Sequence, residues 1–290
     1  MSEPDTRTVD APGATIHYDV RSNASSTEPP LLMIGSPMGA AGFVTLASHF
    51  PERTVVTYDP RGAERSVRTD GASETAVQEH ADDLHRVIAA IGGGPVDVFA
   101  SSGGAVNALA LVARHPSDVR TLVAHEPPAA ATLPDAERVK AAARDIHETY
   151  LRSGPGPAMG KFIAMTSMKG EVPADFADQP APDPAMFGFA MEDDGTRNDP
   201  LLGQNMISCT HFEPDFDALR SAPTRIVVGA GAESEGEMAH RGAEAVAERL
   251  GTTVVIFPSG HGGFLGGEYG QTGDPDGFAK KLREVLGSPA

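Results

Sequence analysis

The stretch Val98-Phe-Ala-Ser-Ser-Gly-Gly-Ala-Val-Asn-Ala-Leu109 runs from a buried apolar strand into a helix of small residues, through two serines and two glycines. An ordinary strand-to-helix turn does not need that composition. Two chemistries do: backbone amides at a helix N-terminus can hold an anion, or one serine can be held out to react. Ala100-Ser101-Ser102-Gly103-Gly104 has the small-x-Ser-x-Gly form of a nucleophile elbow, whose strained turn lifts the central hydroxyl, Ser102, above the strand end. Small neighbours let strand and helix approach closely. Ala100 departs mildly from the glycine usual at the first position. Two other readings stay open on this stretch alone. One is a phosphate-binding turn, with Glu126 near the place of a ribose-binding acid, although neither G-x-G-x-x-G nor G-x-x-x-x-G-K-[ST] occurs. The other is a glycine-rich turn without chemistry.

Outward from the elbow, the chain alternates. Short apolar runs predict strands at Thr15–Val20, Leu31–Gly35, Thr54–Tyr58, Val96–Ala100, Val119–His125, Arg225–Gly229 and Thr253–Phe257. Helical patterns fall at Glu74–Ile91, Ala105–Arg114, Met238–Leu250 and Phe278–Leu286. Near-continuous apolar strands alternating with helices predict an α/β fold: a mostly parallel, doubly wound sheet covered on both faces. Ser22–Pro30 reads as a polar linker or hairpin loop. From Pro127 to Pro223 no convincing strand occurs, and a structureless loop of that length is foreign to a compact domain. The expected division is a core of residues 1–126 and 224–290 with a mostly helical insertion, 127–223, over one edge of the sheet. That insertion holds six of the ten methionines (Met159, Met165, Met168, Met186, Met191, Met206) and Phe162, Phe187, Phe189 and Phe212.

Composition narrows the partners. The 290 residues are 40% hydrophobic and 22% charged, as in an ordinary globular protein of one large or two small domains. A formal charge of −17 argues against nucleic acid and anionic membrane surfaces, whose phosphates it repels. The single cysteine, Cys209, excludes an internal disulfide framework and fits a reducing compartment. No strand-turn-helix surrounds it, which disfavours it as a nucleophile. The polar start MSEPDTRTVD has no apolar h-region, and no run of about 18 apolar residues occurs, so a cytoplasmic protein is expected. A small-molecule substrate fits best; a homodimer is left open.

A nucleophilic serine needs a base. "FPSGHGGFL" puts His261 on a glycine-rich loop after the last predicted strand, late in the order Ser…acid…His. His80, Asp82, Asp83 and His85 cluster on a helical pattern without H-E-x-x-H, and read as a solvated helix face. Glu192-Asp193-Asp194 reads as a surface loop. No metal or organic cofactor is implied.

With "ASSGG", "GHGGF" and "YDPRGAERS" (Tyr58–Ser66) in view, the chain resembles the α/β-hydrolase fold over essentially its whole length. "YDPRGAERS" is similar to the D-x-R-G-x-G-x-S loop of the esterase, haloperoxidase and epoxide-hydrolase branch, with Glu64 where glycine is usual. The resemblance implies an oxyanion hole. "IGSPMGAAGF" is similar to the H-G-x-P loop, with Ile34 for histidine, so Ser36 and Gly103 would supply the two backbone amides. It also implies two places for the acid. After the penultimate strand, "VVGAGAESEG" has Ala232 or Ser234 where an Asp is usual, with Glu233 beside them; after the strand following the elbow helix stands Glu126, in "LVAHEPP". Two prolines behind Glu126 would hold it firmly, so Glu126 is favoured over Glu233.

Three function classes follow. The leading one is a serine hydrolase that cleaves an ester or related acyl bond through an acyl-enzyme. A second uses the same site without hydrolysis, as a cofactor-free perhydrolase or haloperoxidase, a lyase or a cyclase. A third is a binding protein of the same fold. Epoxide hydrolases and haloalkane dehalogenases use an Asp where Ser102 stands. The Met- and Phe-rich insertion offers an anion few obvious cationic partners (Arg152, Lys161, Lys169, Arg197), and so points to an uncharged, largely apolar ester or lactone.

Overall fold

The computed structural model of the chain describes residues 3–187 and 192–288. Among them nine strands form one sheet: β1 (Asp5–Ala11), β2 (Ala14–Arg21), β3 (Leu31–Ile34), β4 (Val55–Tyr58), β5 (Val67–Arg68), β6 (Val96–Ser101), β7 (Val119–His125), β8 (Arg225–Gly231) and β9 (Val255–Phe257). Their spatial order is β1-β2-β4-β3-β6-β7-β8-β9, with β5 paired to β2. Strands β3, β4 and β6 to β9 run parallel; β2 is antiparallel to β1, β4 and β5.

The mostly parallel sheet is as the alternation predicts, and the central strands show why it was readable. Every residue of β3, β4 and β6 is buried, so each appears as a mostly apolar run, broken only by Thr57 in β4 and by Asp97 and Ser101 in β6. β1, Asp-Thr-Arg-Thr-Val-Asp-Ala, is largely exposed and carries no such signal; it was not expected, nor was the two-residue β5. Ser22–Pro30 is a linker and not a hairpin loop, because β2 pairs with β4 while β3 lies beyond it.

The helices are α1 (Val44–Ser48), α2 (Val77–Ala90), α3 (Gly103–Arg114), α4 (Ala136–Ser153), α5 (Pro155–Thr166), α6 (Met206–His211), α7 (Phe216–Ser221), α8 (Met238–Leu250) and α9 (Pro275–Gly287). On one face α2, α3, α7 and α8 bury Leu84, Leu109, Leu219 and Val246 against Leu32, Val98 and Leu122. On the other, α1 and α9 bury Leu46, Phe278 and Leu282 against Met33, Phe99 and Val123. Both faces are thus covered. Between β7 and β8, helices α4 to α6 build a third apolar cluster of their own around Val139, Ile146, Tyr150, Met165 and Met206, joined by Met238 of α8. Phe189, Met191 and the Phe187 side chain lie outside the described residues. Among the described residues no helix is long and apolar enough to cross a membrane.

The chain goes from β3 to β4 on one side, then returns to place β6 on the other side of β3. Ligands of such sheets bind outside the carboxyl ends of strands at this kind of reversal. The segment "YDPRGAERS" braces that end. Asp59 accepts the Ala40 amide at 2.8 Å, fastening the loop that leaves β3. Arg61 is 2% exposed and forks onto the fully buried Asp83 of α2 at 2.7 and 2.9 Å. This corrects the solvated-face reading of α2: Asp83 and His80 are buried, the latter bonded to Asn205 at 2.7 Å. Glu64 has φ 47°, the left-handed conformation that accounts for the glycine usual there.

Candidate active site

Ser102 is the single residue between β6 and α3, with φ 57° and ψ −130°. Non-glycine residues avoid this region, and the surrounding structure must impose it. Its N–H donates to the His125 carbonyl at 3.0 Å and its own carbonyl accepts Ala105 N–H at 2.9 Å. The glycines behind it are required sterically. A Cβ on Gly103 would lie 2.6 Å from the Ser36 carbonyl oxygen, and one on Gly104 2.6 Å from that of Ile34. The turn sharp enough to lift Ser102 is therefore also the turn that only glycine allows.

Glu126 follows β7 directly, with φ 48° and no exposed surface. Its N–H donates to the Gly229 carbonyl at 2.9 Å, tying it to β8. Oε1 accepts the Gly231 amide at 2.8 Å and the Ser234 hydroxyl. Oε2 lies 2.5 Å from Nδ1 of His261. Burial alone would raise this carboxyl, but hydrogen bonding and attraction to His261, helped by His125 and Ser234, hold it down at about 2. An ionised acceptor fixes the proton of His261 on Nδ1 and leaves Nε2 as the basic nitrogen. Ser234, one of the two positions where the resemblance would put an Asp, instead donates to Glu126. Glu233 is exposed, and among the described residues it bonds to Ser259 (amide to carbonyl at 3.0 Å, hydroxyl to carboxylate at 3.2 Å), not to His261.

Ser36, Ser102, Gly103 and His261 all line one cavity of about 700 Å³. Among the described residues Ser102 and His261 share its wall without a hydrogen bond between them. Its remaining wall is largely apolar, with Met159, Phe162, Met165, Leu201, Met206 and Met238 prominent. The charged residues lining it are Glu64, Asp199 and Glu237, with no Lys or Arg among the described lining. The cations of the helical segment turn elsewhere: Lys161 pairs with Asp145 at 2.6 Å and Arg197 with Asp193 at 2.8 Å. Glu192, Asp193 and Asp194 are exposed.

Other candidates lead away from chemistry. Cys209 lines the cavity, but burial pushes its thiol up to about 12, so it is no thiolate near neutral pH. His85, His115 and Asp118 have metal-like spacing, with ligand atoms within 4.8 Å of one another. One nitrogen of each histidine is engaged, Nδ1 of His85 with Asp118 at 2.7 Å and Nε2 of His115 with Asp82 at 3.0 Å, and none of the three residues lines the cavity. His125 is the neighbour that sequence reasoning missed. It is fully buried at the end of β7 among Phe99, Phe257 and Phe278, its ring 6.3 Å from that of His261, and neither nitrogen has a partner among the described residues. Burial pushes it down to about 4, so it is held neutral. Its only sequence signal is its place beside Glu126.

The chain is similar to known proteins. A family described as the alpha/beta hydrolase fold matches residues 29–267. The chain is 32% identical over 262 residues to the uncharacterized hydrolase YraK of Bacillus subtilis (strain 168), covering 89% of each chain. It is similar in structure to a thermophilic esterase from Thermogutta terrifontis, with a TM-score of 0.67, 18% identity and 98% of each chain covered. It is likewise similar to the esterase RhEst1 from Rhodococcus sp. ECU1013, with a TM-score of 0.66, 16% identity and 100% of each covered.

Proposed function

The chain belongs to the α/β-hydrolase-fold family, and from that premise we propose that it is a serine hydrolase cleaving an ester or lactone of an uncharged, largely apolar small molecule. Ser102 Oγ attacks the carbonyl carbon while His261 Nε2 takes its proton. The Ser36 and Gly103 amides hold the oxyanion, each such donor being worth roughly 10²–10³ in turnover. His261 then protonates the leaving alcohol. Water, deprotonated by the same imidazole, releases the acid from the acyl-enzyme. Glu126 stays ionised throughout, keeping His261 in one tautomer and stabilising the imidazolium. Helices α4 to α6, within residues 127–223, act as a cap that roofs the site and keeps water from it.

The observation that carries this reading is the ionised, buried Glu126 bonded to a histidine that shares its cavity with a serine in a strained turn. The acyl specificity rests on the Met- and Phe-rich lining, which has no Lys or Arg among the described residues. A fluorophosphonate probe followed by peptide mapping tests the mechanism: a single adduct on Ser102 is expected, and labelling elsewhere or none would overturn it. A panel of esters with one leaving group and neutral, anionic or cationic acyl parts tests the substrate class. Neutral members should lead and anionic ones trail; anionic preference would sink the assignment.

A further inference from the structure

Asn107 lies four residues beyond Gly103 on α3, so the two positions share one face of that helix. Both line the cavity, on the side that Val77 of α2 and Cys209 of α6 also line, and a Cβ on Gly103 would sit 3.5 Å from the Cys209 sulfur. Asn107 is 2% exposed, and its side-chain nitrogen is buried without an acceptor among the described residues. A buried amide donor left unpaired is unfavourable, and native structures avoid it unless a ligand or water completes it. The terminal torsion of asparagine is broad, so a modest rotation turns the N–H₂ into the cavity without moving α3.

We propose that Asn107 is a specificity-determining residue whose amide donates to an acceptor oxygen on the acyl chain of the substrate. The inference rests on the hydrolase reading above and deepens it: the preferred ester is apolar and uncharged but carries one carbonyl oxygen along its acyl part. The side of the cavity follows from the chemistry. His261 must protonate the leaving oxygen, so the alcohol lies toward His261 and the acyl chain runs the other way, along the face of α3. Four residues of helix rise about 6 Å, which puts the acceptor about four or five bonds from the scissile carbonyl.

The test compares p-nitrophenyl 5-oxohexanoate with p-nitrophenyl hexanoate, a pair differing only in a keto oxygen at that distance. The wild-type protein should favour the oxo ester by about tenfold in kcat/KM, a typical return for one satisfied buried hydrogen bond. In Asn107→Leu, a nearly isosteric change, the ratio should fall to one or below. An unchanged ratio in the variant, or no preference in the wild type, overturns the proposal. A second readout does not need turnover: 5-oxohexanamide should raise the Tm of the wild-type protein more than hexanamide does, and the difference should vanish in Asn107→Leu. If neither ester is hydrolysed, the hydrolase reading fails, and the amide pair alone decides the subsite; equal Tm shifts then reject it.

Discussion

Ser102 holds a conformation that glycine adopts freely and serine does not, at a cost on the order of 1–3 kcal/mol. The site therefore stores strain, and the strain can be measured apart from the chemistry. Ser102→Ala and Ser102→Gly should both abolish ester turnover. Ser102→Gly should nevertheless be the more stable of the two by about 1 kcal/mol in urea denaturation, because only glycine relieves the turn. Equal midpoints, or a more stable alanine variant, would mean that the elbow is not strained. The glutamates separate in the same way. Glu126→Gln removes the charge that orients His261 and should lower kcat by roughly 10⁴, the scale known for such carboxylates in serine proteases. Glu233→Gln disturbs one exposed contact with Ser259 and should leave kcat within about twofold. Kinetics on one p-nitrophenyl ester rank them, and the reverse ranking would move the acid to Glu233.

The element that matters most to the frame of the site is the loop after β4. Arg61 and Asp83 form a bidentate pair with almost no exposure, and Arg61 also donates to the Pro12 carbonyl at 2.7 Å. Such a pair is poor evidence of net stabilisation, since both charges have left water. Breaking it is another matter. Arg61→Met strands the Asp83 carboxylate and should cost about 3–5 kcal/mol, read from the urea midpoint. Arg61→Met combined with Asp83→Leu should recover most of that loss. A double variant no better than the single would show that Arg61 acts through packing or through Pro12, and not through the charge of Asp83. The loop also explains its own departure from the family pattern. Glu64 occupies the left-handed position directly, and its side chain lines the cavity where a glycine would offer none.

At the scale of the whole molecule, His125 couples stability to pH. Its ring is neutral in the fold and takes a proton only near 4, while an unfolded histidine titrates near ~6.5. Between those values the unfolded state binds the extra proton, so stability is full above about 6.5 and is lost as pH falls toward 4. Glu126 adds a second loss at lower pH: its folded value of about 2 lies under the ordinary carboxylate value, so its contribution fades as pH falls from that ordinary value to about 2. His125→Leu removes the first slope and two unpartnered nitrogens. Thermal unfolding at steps from pH 7 to 4 should show a flatter decline in the variant than in the wild type, and parallel curves would clear His125 of the effect.

How much of this was legible in the sequence depends on the range of the physics involved. The buried strands β3, β4 and β6 and the elbow at Ser102 were readable because their causes are local. Burial on both faces makes a mostly apolar run, and steric room for a sharp turn is set by Gly103 and Gly104 next door. The edge strand β1 was invisible for the same reason, since an exposed strand needs no apolar run. The tertiary structure alone decided what is paired across distance. The two prolines favour Glu126 over Glu233 in the sequence, but its bond to His261, 135 positions away, exists because the parallel order β7-β8-β9 brings the ends of those strands side by side. Asp83 and His80 looked solvated on their helix until Arg61 and Asn205 arrived from other segments to pair with them. Sterics and burial act between neighbours in the chain and are written there; charges and hydrogen bonds act between neighbours in space, which only the completed fold creates.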